Sequence, residues 1–246
     1  MLVSIIIPVY NHAKELEACV ESILEQSIYS NVLKNIRIET EIIIVNDGST
    51  DTIADCRLQI ADLLQRKGFS IQWIDQQNRG AAAARNRGFD ACNGDLLFFC
   101  DADIRLEPDC LEKMWEALEQ HPDAAFSYSQ FLFSHKKFSS FPFDLATLRQ
   151  LNYIHTSSLL RRGAFPRFDE SLKKFQDWDL FLTIAERGGR GVFIPEVLYT
   201  IATGGTMSQW VPSFAYHAPF KYLPWWKKTI ERYQAAKNII IRKHNI

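Results

Sequence analysis

The 246-residue chain is predicted to adopt an α/β fold, a mostly parallel sheet flanked by helices. Two observations support this fold class. Short runs rich in β-branched residues alternate with amphipathic stretches through residues 2–100. The run EIIIVN at 41–46 is almost entirely apolar, as in a parallel strand buried on both faces. Such alternation requires right-handed crossovers, which place helices over both faces of the sheet.

The elements of the first half follow from composition and periodicity. Runs of β-branched and aromatic residues predict strands at 2–10, 41–46, 70–75 and 95–100. Apolar residues at helical spacing predict helices at 11–27, 53–67 and 80–92. The glycine after the second helix, Gly68, is expected to end it.

The second half is less regular. Its composition predicts a helix at 177–189 and strands at 124–133, 152–160 and 191–199. We interpret this half as an irregular extension of the same sheet, with a separate domain as an alternative of equal weight. Segment 28–40 contains no motif that indicates a role.

The composition is that of an ordinary globular protein. Apolar residues make up 47% and charged residues 23%, and a net charge of −1 gives no reason to expect nucleic-acid binding. No stretch reaches the roughly 18 apolar residues that a membrane helix needs, and the apolar start lacks the basic lead of a signal peptide. The 5 cysteines form no C-x-x-C pair, which favours reduced, buried thiols in the cytoplasm.

Ligands of parallel α/β sheets bind at the carboxyl ends of the strands. In this chain that rule selects four segments, each with polar or charged side chains: 8–11, 46–50, 75–79 and 101–103. We therefore expect them to meet at one edge of the sheet and to form a binding site there.

Two aspartates, Asp101 and Asp103, follow the apolar run DLLFFC at 95–100. Each carboxylate makes the other harder to ionise, and a divalent cation beside them would turn that repulsion into attraction. Hard cations such as Mg²⁺ take carboxylate oxygens together with substrate phosphates. The alternative is that both acids only cap the loop and the helix near Pro108 and Asp109.

Two further segments contain candidate ligand-binding residues. In VNDGSTD at 45–51, Asp47 would project past the strand end toward a nucleotide base, although the segment could equally be a turn that caps the next helix. In NRGAAAARNRG at 78–88, small residues would let a helix lie close to the sheet, and Arg85 could reach a base or a phosphate. A tight helix–sheet contact alone is the alternative for this second segment.

A third acidic segment, FDESLKKFQDWDL at 168–180, places Asp177 at the expected start of a helix. The helix dipole stabilises a carboxylate there, and N-capping is the alternative role. Asp179, two residues later, would face another direction on the helix. Asp177 is therefore our candidate for the functional carboxylate.

Several other phosphate-binding and nucleophile motifs are absent from the sequence. It has no G-x-x-x-x-G-K, no G-x-S-x-G, and no His/Cys cluster with zinc spacing. Its one G-x-G, at Gly189 and Gly191, lies between a helix and a strand, which is the wrong order for a dinucleotide fingerprint.

Taken in order, these motifs resemble those of the family 2 glycosyltransferases with the GT-A fold. The resemblance covers roughly residues 3–200 and consists of P-V-Y-N, V-N-D-G-S-T-D, N-R-G-x-x-x-A-R-N, the D-x-D, and F-D-E-x-L followed by x-D-W-D-L. It implies inverting transfer of a sugar from a nucleoside-diphosphate donor, with a UDP-sugar favoured, to an acceptor hydroxyl in polysaccharide or glycolipid synthesis.

The resemblance also implies roles for single residues. The nucleotide-binding residues would be Pro8, Tyr10, Asn11, Asp47, Arg85 and Asp101. Asp103, together with Asp101, would bind a divalent metal, Mg²⁺ or Mn²⁺, with His217 as a further candidate ligand. Asp177 matches the general base, although this chain has Gln176 where the family usually has glutamate.

By the same resemblance, residues 1–220 form a GT-A domain, with a nucleotide-sugar-binding half (1–105) and an acceptor half (106–220). Two other functions remain open: a nucleotide-sugar-binding scaffold of weak activity, which Gln176 favours, and a sugar nucleotidyltransferase. The expected partners are a nucleotide-sugar donor and a glycan or lipid-linked acceptor, in the cytoplasm.

The last segment, 221–246, contains seven Lys/Arg and one acidic residue. Trp226, Ile230, Tyr233 and Ile240 recur at helical spacing, which predicts a basic amphipathic helix. Such a helix could rest on the anionic inner face of a membrane. The alternative is a helix that packs back onto the domain with its lysines in water.

Overall fold

The computed structural model describes residues 1–29, 38–69, 71–202 and 224–246, without the side chains of 224–226. The strands of this described part are β1 (Leu2–Val9), β2 (Glu39–Asn46), β3 (Ile71–Asp75), β4 (Leu96–Phe99), β5 (Ile104–Leu106), β6 (Phe126–Phe133), β7 (Lys136–Phe138), β8 (Leu159–Arg161) and β9 (Gly191–Ile201). The helices are α1 (Ala13–Leu24), α2 (Ile53–Lys67), α3 (Ala81–Ala91), α4 (Cys110–Gln120), α5 (Leu145–Gln150), α6 (Gln176–Glu186) and α7 (Pro224–His244).

All described strands belong to one sheet, in the order β3-β2-β1-β4-β8-β6-β9-β5, with β7 paired to β6. The pairs among β1 to β4 are parallel. The second half continues the sheet through the antiparallel pairs β4–β8, β8–β6 and β9–β5, and through the parallel pair β6–β9. The predicted α/β fold with flanking helices is confirmed, but the sheet is mixed, because its second half is largely antiparallel.

The strand predicted at 152–160 is wrong over most of its length, since only Leu159–Arg161 is extended and paired. The preceding residues use their side chains for local or backbone hydrogen bonds. The Ser158 hydroxyl donates to the carbonyl of His155 at 2.7 Å, and the Ser157 hydroxyl to that of Phe99 at 3.0 Å. Such bonds compete with a strand ladder, so this segment forms a loop beside β4.

Helices cover both faces of the sheet. Apolar residues of α1, α2 and α4 pack on one face, and those of α3, α5, α6 and α7 pack on the other. All five cysteines are buried and free, as predicted. Within the described ranges, none of the helices has the length and hydropathy of a membrane span.

Helix α3 lies unusually close to β1 because its inner face is made of small residues. Ala82, Ala84 and Gly88 are buried there. A Cβ atom added at Gly88 would lie 2.4 Å from Cγ2 of Ile6, far inside normal contact distance. The small residues of this motif therefore set the distance between α3 and the sheet, and with it the position of Arg85.

We expect Gly88→Ala to lower the free energy of unfolding by about 1–3 kcal/mol, because Ile6 is fully buried and cannot yield space. Urea denaturation would measure the loss. Gly163→Ala is the matched control, since a Cβ added at Gly163 meets nothing within 4 Å. Equal stability of the two variants would contradict close packing of α3.

Candidate active site

The predicted polar segments meet at the carboxyl edge of the parallel strands. Tyr10 follows β1, Asp47 follows β2 and Asp101 follows β4, and these three strands are neighbours in the sheet. Tyr10 is 38% exposed at this edge, whereas Pro8 is buried within β1 and pairs with Val45 of β2. The edge thus combines an exposed aromatic ring with two carboxylates.

Asp47 is 2% exposed and holds the loop between β3 and α3. One oxygen accepts hydrogen bonds from Gln76 Nε2 at 2.7 Å and from the Arg79 amide at 2.8 Å. The other accepts from the Gly80 amide at 2.8 Å. Three donors from one loop satisfy this buried carboxylate, so Asp47 shapes the edge through that loop.

The turn after β2 binds the start of α1 and does not cap α2. The N-cap of α2 is Thr52, which forms no side-chain cap bond. Asp51 instead accepts from the Ala13 amide at 2.9 Å, and Asn11 Oδ1 accepts from the Thr50 amide at 2.8 Å. Asn11 has a left-handed backbone, φ 55°, a conformation that asparagine tolerates better than most residues. VNDGSTD is thus a strand–turn–helix segment, as its alternative predicted, but the predicted capping of α2 by this segment is wrong.

Arg85 connects the end of β4 to the start of α6. Its side chain is 3% exposed; Nη2 lies 2.6 Å from Asp101 Oδ1, and Nη1 donates to Gln176 Oε1 at 2.9 Å. The Phe168 ring lies beneath it, 5.2 Å from Cζ to the ring centroid. Burial, the largest single effect, raises the pKa of Asp101, but the charge and hydrogen bond of Arg85 and smaller charge effects together outweigh it, so this pKa is lowered.

Gln176 fits this arrangement as a neutral amide. Its oxygen accepts from Arg85, and its Nε2 donates to the Leu172 carbonyl at 2.8 Å. A glutamate in the same pose would set a carboxylate oxygen against that carbonyl, and oxygen cannot donate there unless the acid is protonated. Gln176, in place of the glutamate usual in the family, therefore has a hydrogen-bond partner for both its oxygen and its nitrogen.

Asp103 lies in the turn after Asp101 and has the opposite pKa shift. Burial, and then repulsion from Asp101, raise the pKa of Asp103 to about 6. Its peptide carbonyl accepts from the Ala202 amide at 2.9 Å, which ties the turn to the end of β9. Neither aspartate caps α4, whose N-cap is Asp109, so the capping alternative for D-x-D is wrong.

The carboxylates at this turn fit a hard divalent cation. A cation next to Asp103 would stabilise its ionised form and so offset the burial and the repulsion that raise its pKa, whereas Asp101 already has Arg85 as a counter-ion. Within the described ranges no group of three or more His, Cys, Asp or Glu could hold a metal. This pattern suits Mg²⁺ or Mn²⁺ bound by one or two carboxylates plus substrate phosphates. His217 lies outside the described residues.

Asp177 is the second residue of α6 and not its N-cap, which is Phe175. Its Oδ1 accepts from the Trp178 amide at 2.9 Å, and its Oδ2 accepts from Asn152 Nδ2 at 2.9 Å. The carboxylate is partly exposed. Since Gln176 precedes Asp177 directly, the Arg85 bridge brings Asp101 and Asp177 to the same edge.

Asn152 and His155 lie at this edge although the sequence did not point to them. Both fall in the segment predicted to be a strand, which is why they were missed. The His155 ring contacts the rings of Phe131 and Tyr199, at centroid distances of 5.1 and 5.7 Å. Burial lowers the pKa of His155, and the charges of Asp101 and Asp177 oppose this only in part. The site therefore contains a neutral imidazole near both carboxylates.

The family model for glycosyl transferase family 2 matches residues 4–173. The chain belongs to this family. Its relatives include the glycosyltransferase GlyA of Streptococcus pneumoniae serotype 4 (33% identical, 48% of this chain and 15% of the relative). An uncharacterized glycosyltransferase, YibD of Escherichia coli K12, is 32% identical over 67% of this chain and 44% of its own length. The chain thus spans less than half the length of these two relatives.

Solved structures with the same GT-A fold include two complexes. One is S. aureus TarS 1–349 with UDP-GlcNAc, with a TM-score of 0.67 and 19% identity over 86% of this chain and 62% of that chain. The other is the mannosyltransferase PcManGT from Pyrobaculum calidifontis with GDP-Man and Mn²⁺, with a TM-score of 0.62 and 19% identity over 83% of this chain and 58% of that chain. The predicted family and fold are both confirmed.

We expect Arg85→Met to lower the free energy of unfolding by about 3 kcal/mol, because removing one partner of a buried pair leaves the other charge unpaired. Arg66→Met is the matched control: Arg66 pairs with Asp62 at the surface, where both side chains are more than half exposed, and about 1 kcal/mol or less is expected. Urea denaturation measures both. Similar losses in the two variants would contradict a special role for the Arg85 pair.

Proposed function

We propose that the protein transfers a sugar from a nucleoside-diphosphate sugar, with a UDP-sugar as the favoured donor, to an acceptor hydroxyl with inversion at the anomeric carbon. The observation that carries this proposal is the Arg85 bridge. Through two hydrogen bonds of 2.6 and 2.9 Å, one guanidinium connects the acidic turn after β4 to the residue before Asp177. A donor diphosphate and a base can therefore meet at one point of the edge.

On the donor side, the exposed ring of Tyr10 stacks on the nucleotide base. Asn11 and Asp47 act by holding the loops around the nucleoside, through the hydrogen bonds that each makes to backbone amides. Pro8 supports this part of the edge from inside β1. Arg85 and Asp101 lie on the diphosphate side. The complexes of TarS with UDP-GlcNAc and of PcManGT with GDP-Man support a nucleotide-sugar donor.

Asp103 is proposed to hold a divalent metal, with Asp101 as a second oxygen ligand or as a contact to the ribose. When bound, the cation supplies positive charge next to the diphosphate that leaves. Two unit charges about 4 Å apart interact by about 4 kcal/mol at an effective dielectric of about 20. Realised in the transition state, that energy corresponds to roughly a thousandfold in rate.

On the acceptor side, Asp177 is proposed as the general base. The acceptor oxygen attacks the anomeric carbon, the bond from that carbon to the diphosphate oxygen breaks, and the acceptor proton passes to Asp177. Asn152 holds Oδ2 of Asp177 and so fixes the direction of the carboxylate. A positioned base contributes about 10²–10⁴-fold. Attack opposite the leaving group in a single step inverts the anomeric configuration.

The structure weakens the one argument for an inactive scaffold, because Gln176 satisfies both of its neighbours without a charge. Membership of glycosyl transferase family 2 favours transfer of a sugar over transfer of a nucleotidyl group.

A glycan or lipid-linked acceptor, cytoplasmic location and contact of 221–246 with the membrane stay predictions. Of the described apolar residues of α7, Ile240 packs inward, which favours the alternative of a helix docked on its own domain.

We expect Asp177→Asn to lower the rate of UDP release from UDP-GlcNAc or UDP-glucose by at least about 10²-fold in the presence of Mn²⁺, because the amide cannot accept a proton. Affinity for UDP should not change. Asp123→Asn is the matched control, since Asp123 is 71% exposed at the surface. An Asp177→Asn rate equal to that of the wild type would contradict the base and would favour the scaffold.

We expect Asp103→Asn to abolish the gain in UDP binding that Mn²⁺ provides. Bound ligand raises the melting temperature by mass action, so wild type with UDP should melt higher with Mn²⁺ than with EDTA. In Asp103→Asn the two melting temperatures should coincide, while Asp123→Asn should behave as wild type. A Mn²⁺ increment retained in Asp103→Asn would exclude this carboxylate as a ligand.

A further inference from the structure

Asp179 is a buried carboxylate that the proposed reaction does not use. It lies on α6 two residues after Asp177, and its side chain is 5% exposed. A carboxylate at this depth is destabilising unless cations or hydrogen-bond donors surround it. Its partners therefore decide whether α6 is stable in this position.

Those partners come from the last turn of α7. Nε2 of His244 lies 2.8 Å from Asp179, and Nδ1 lies 2.9 Å from Glu186. Nζ of Lys243 lies 2.8 Å from Asp179 and 2.7 Å from Asp169. The His244 ring thus bridges two carboxylates, one through each of its nitrogens. We call these five residues the C-terminal clamp.

The hydrogen bond from Lys243 also lowers the pKa of Asp169 to about 2. The clamp contains a lysine, a histidine and three carboxylates in direct contact. His244 is itself nearly fully buried, at 2% side-chain exposure. The buried part of the clamp, Asp179 and His244, is strongly coupled, because removal of a partner leaves the buried carboxylate without compensation.

The same helix α7 also supports the strained start of α6. Phe175, which precedes α6, has φ 61°, a left-handed conformation that is unfavourable for an aromatic residue. Its ring contacts the ring of Tyr233 edge to face, with centroids 5.1 Å apart. Between these two ends, Ile240 is fully buried, and Nζ of Lys237 lies 5.8 Å from the Trp178 ring centroid. Contacts to α7 thus run along most of α6.

We propose that Lys243 and His244 are positioning residues for sugar transfer. They pair with Asp179, hold α6 against α7, and so keep Asp177 at the reacting edge. The inference rests on the proposed role of Asp177 as the base and extends it, since the base then depends on residues near position 246 of the chain. Misplacement of a reacting group by about 1 Å can cost on the order of 10²-fold in rate.

Measuring nucleotide binding distinguishes a positioning role of the clamp from a general loss of folding. Tyr10 and Asn11 follow β1 and Asp47 follows β2, and the hydrogen bonds of Asn11 and Asp47 described above go to the loops after β2 and β3. Loss of the clamp should therefore lower kcat and leave the KM for the donor unchanged. A general loss of folding would lower both binding and turnover.

The experiment compares the full-length wild type with the double variant Lys243→Ala/His244→Ala. UDP release from UDP-GlcNAc with Mn²⁺ provides kcat and KM, UDP titration provides the Kd, and hydrogen exchange followed by mass spectrometry reports the protection of α6 amides. We expect kcat to fall by about 10–100-fold, KM and Kd to stay within about twofold, and exchange at 176–182 to accelerate.

Three further variants serve as controls. Arg242→Ala removes a charge from the same turn of α7; Arg242 is exposed and belongs to no ion pair within the described residues, so wild-type kcat is expected. Lys243→Arg keeps the charge, whereas Lys243→Met keeps a similar length without it; we expect the first to retain most of the kcat and the second to lose it, which a purely space-filling role would not explain.

The proposal is overturned if the double variant keeps wild-type kcat, or if its affinity for UDP falls together with kcat. Failure of the proposed function has a different signature: the wild type would release no UDP from either UDP-sugar, or Asp177→Asn would turn over normally. In that case hydrogen exchange alone tests whether the clamp holds α6, and unchanged protection of α6 amides in the double variant would contradict it.

Discussion

The ion pair between Arg85 and Asp101 is the interaction on which the rest of the site depends. Because the Arg85 side chain is only 3% exposed, its guanidinium needs hydrogen-bond acceptors on more than one side. It finds them at the end of β4 and at Gln176 on α6, so one buried cation connects the parallel half of the sheet to the helix that carries Asp177. Because Arg85 already pairs with Asp101, Asp103 is the carboxylate of this turn whose raised pKa a bound cation would offset.

This bridge requires two kinds of support, one on each side. On the sheet side, Gly88 and the alanines of α3 bring the helix close to β1, and this fixes the origin of the Arg85 side chain. On the other side, α6 begins after a strained residue, Phe175, and contains a buried carboxylate, Asp179, both of which contact α7. Unfavourable conformations and charges near a site persist only when surrounding contacts stabilise them.

Much of the fold, and the placement of Asp47 and Asp101 at one edge of the sheet, was predictable because the signals are local. The spacing of apolar residues identifies the strands and helices. Because ligands of parallel sheets bind at the carboxyl ends of the strands, Asp47 and Asp101 are assigned to one edge from the sequence alone. The prediction failed at 152–160, where serine hydroxyls bind backbone carbonyls and a loop replaces a strand. A β-like composition cannot reveal that competition, and for this reason Asn152 and His155 were overlooked.

The sequence by itself determined the alternation of strands and helices, the membership of glycosyl transferase family 2 and the order of its acidic motifs, since each of these is written in short stretches of chain. Only the tertiary structure decided the partner of each charged side chain. Arg85 and Gln176 are 91 positions apart, and Asp179 and His244 are 65 apart. Pairs at such separations have no local pattern, because their contact results from helix packing on the sheet.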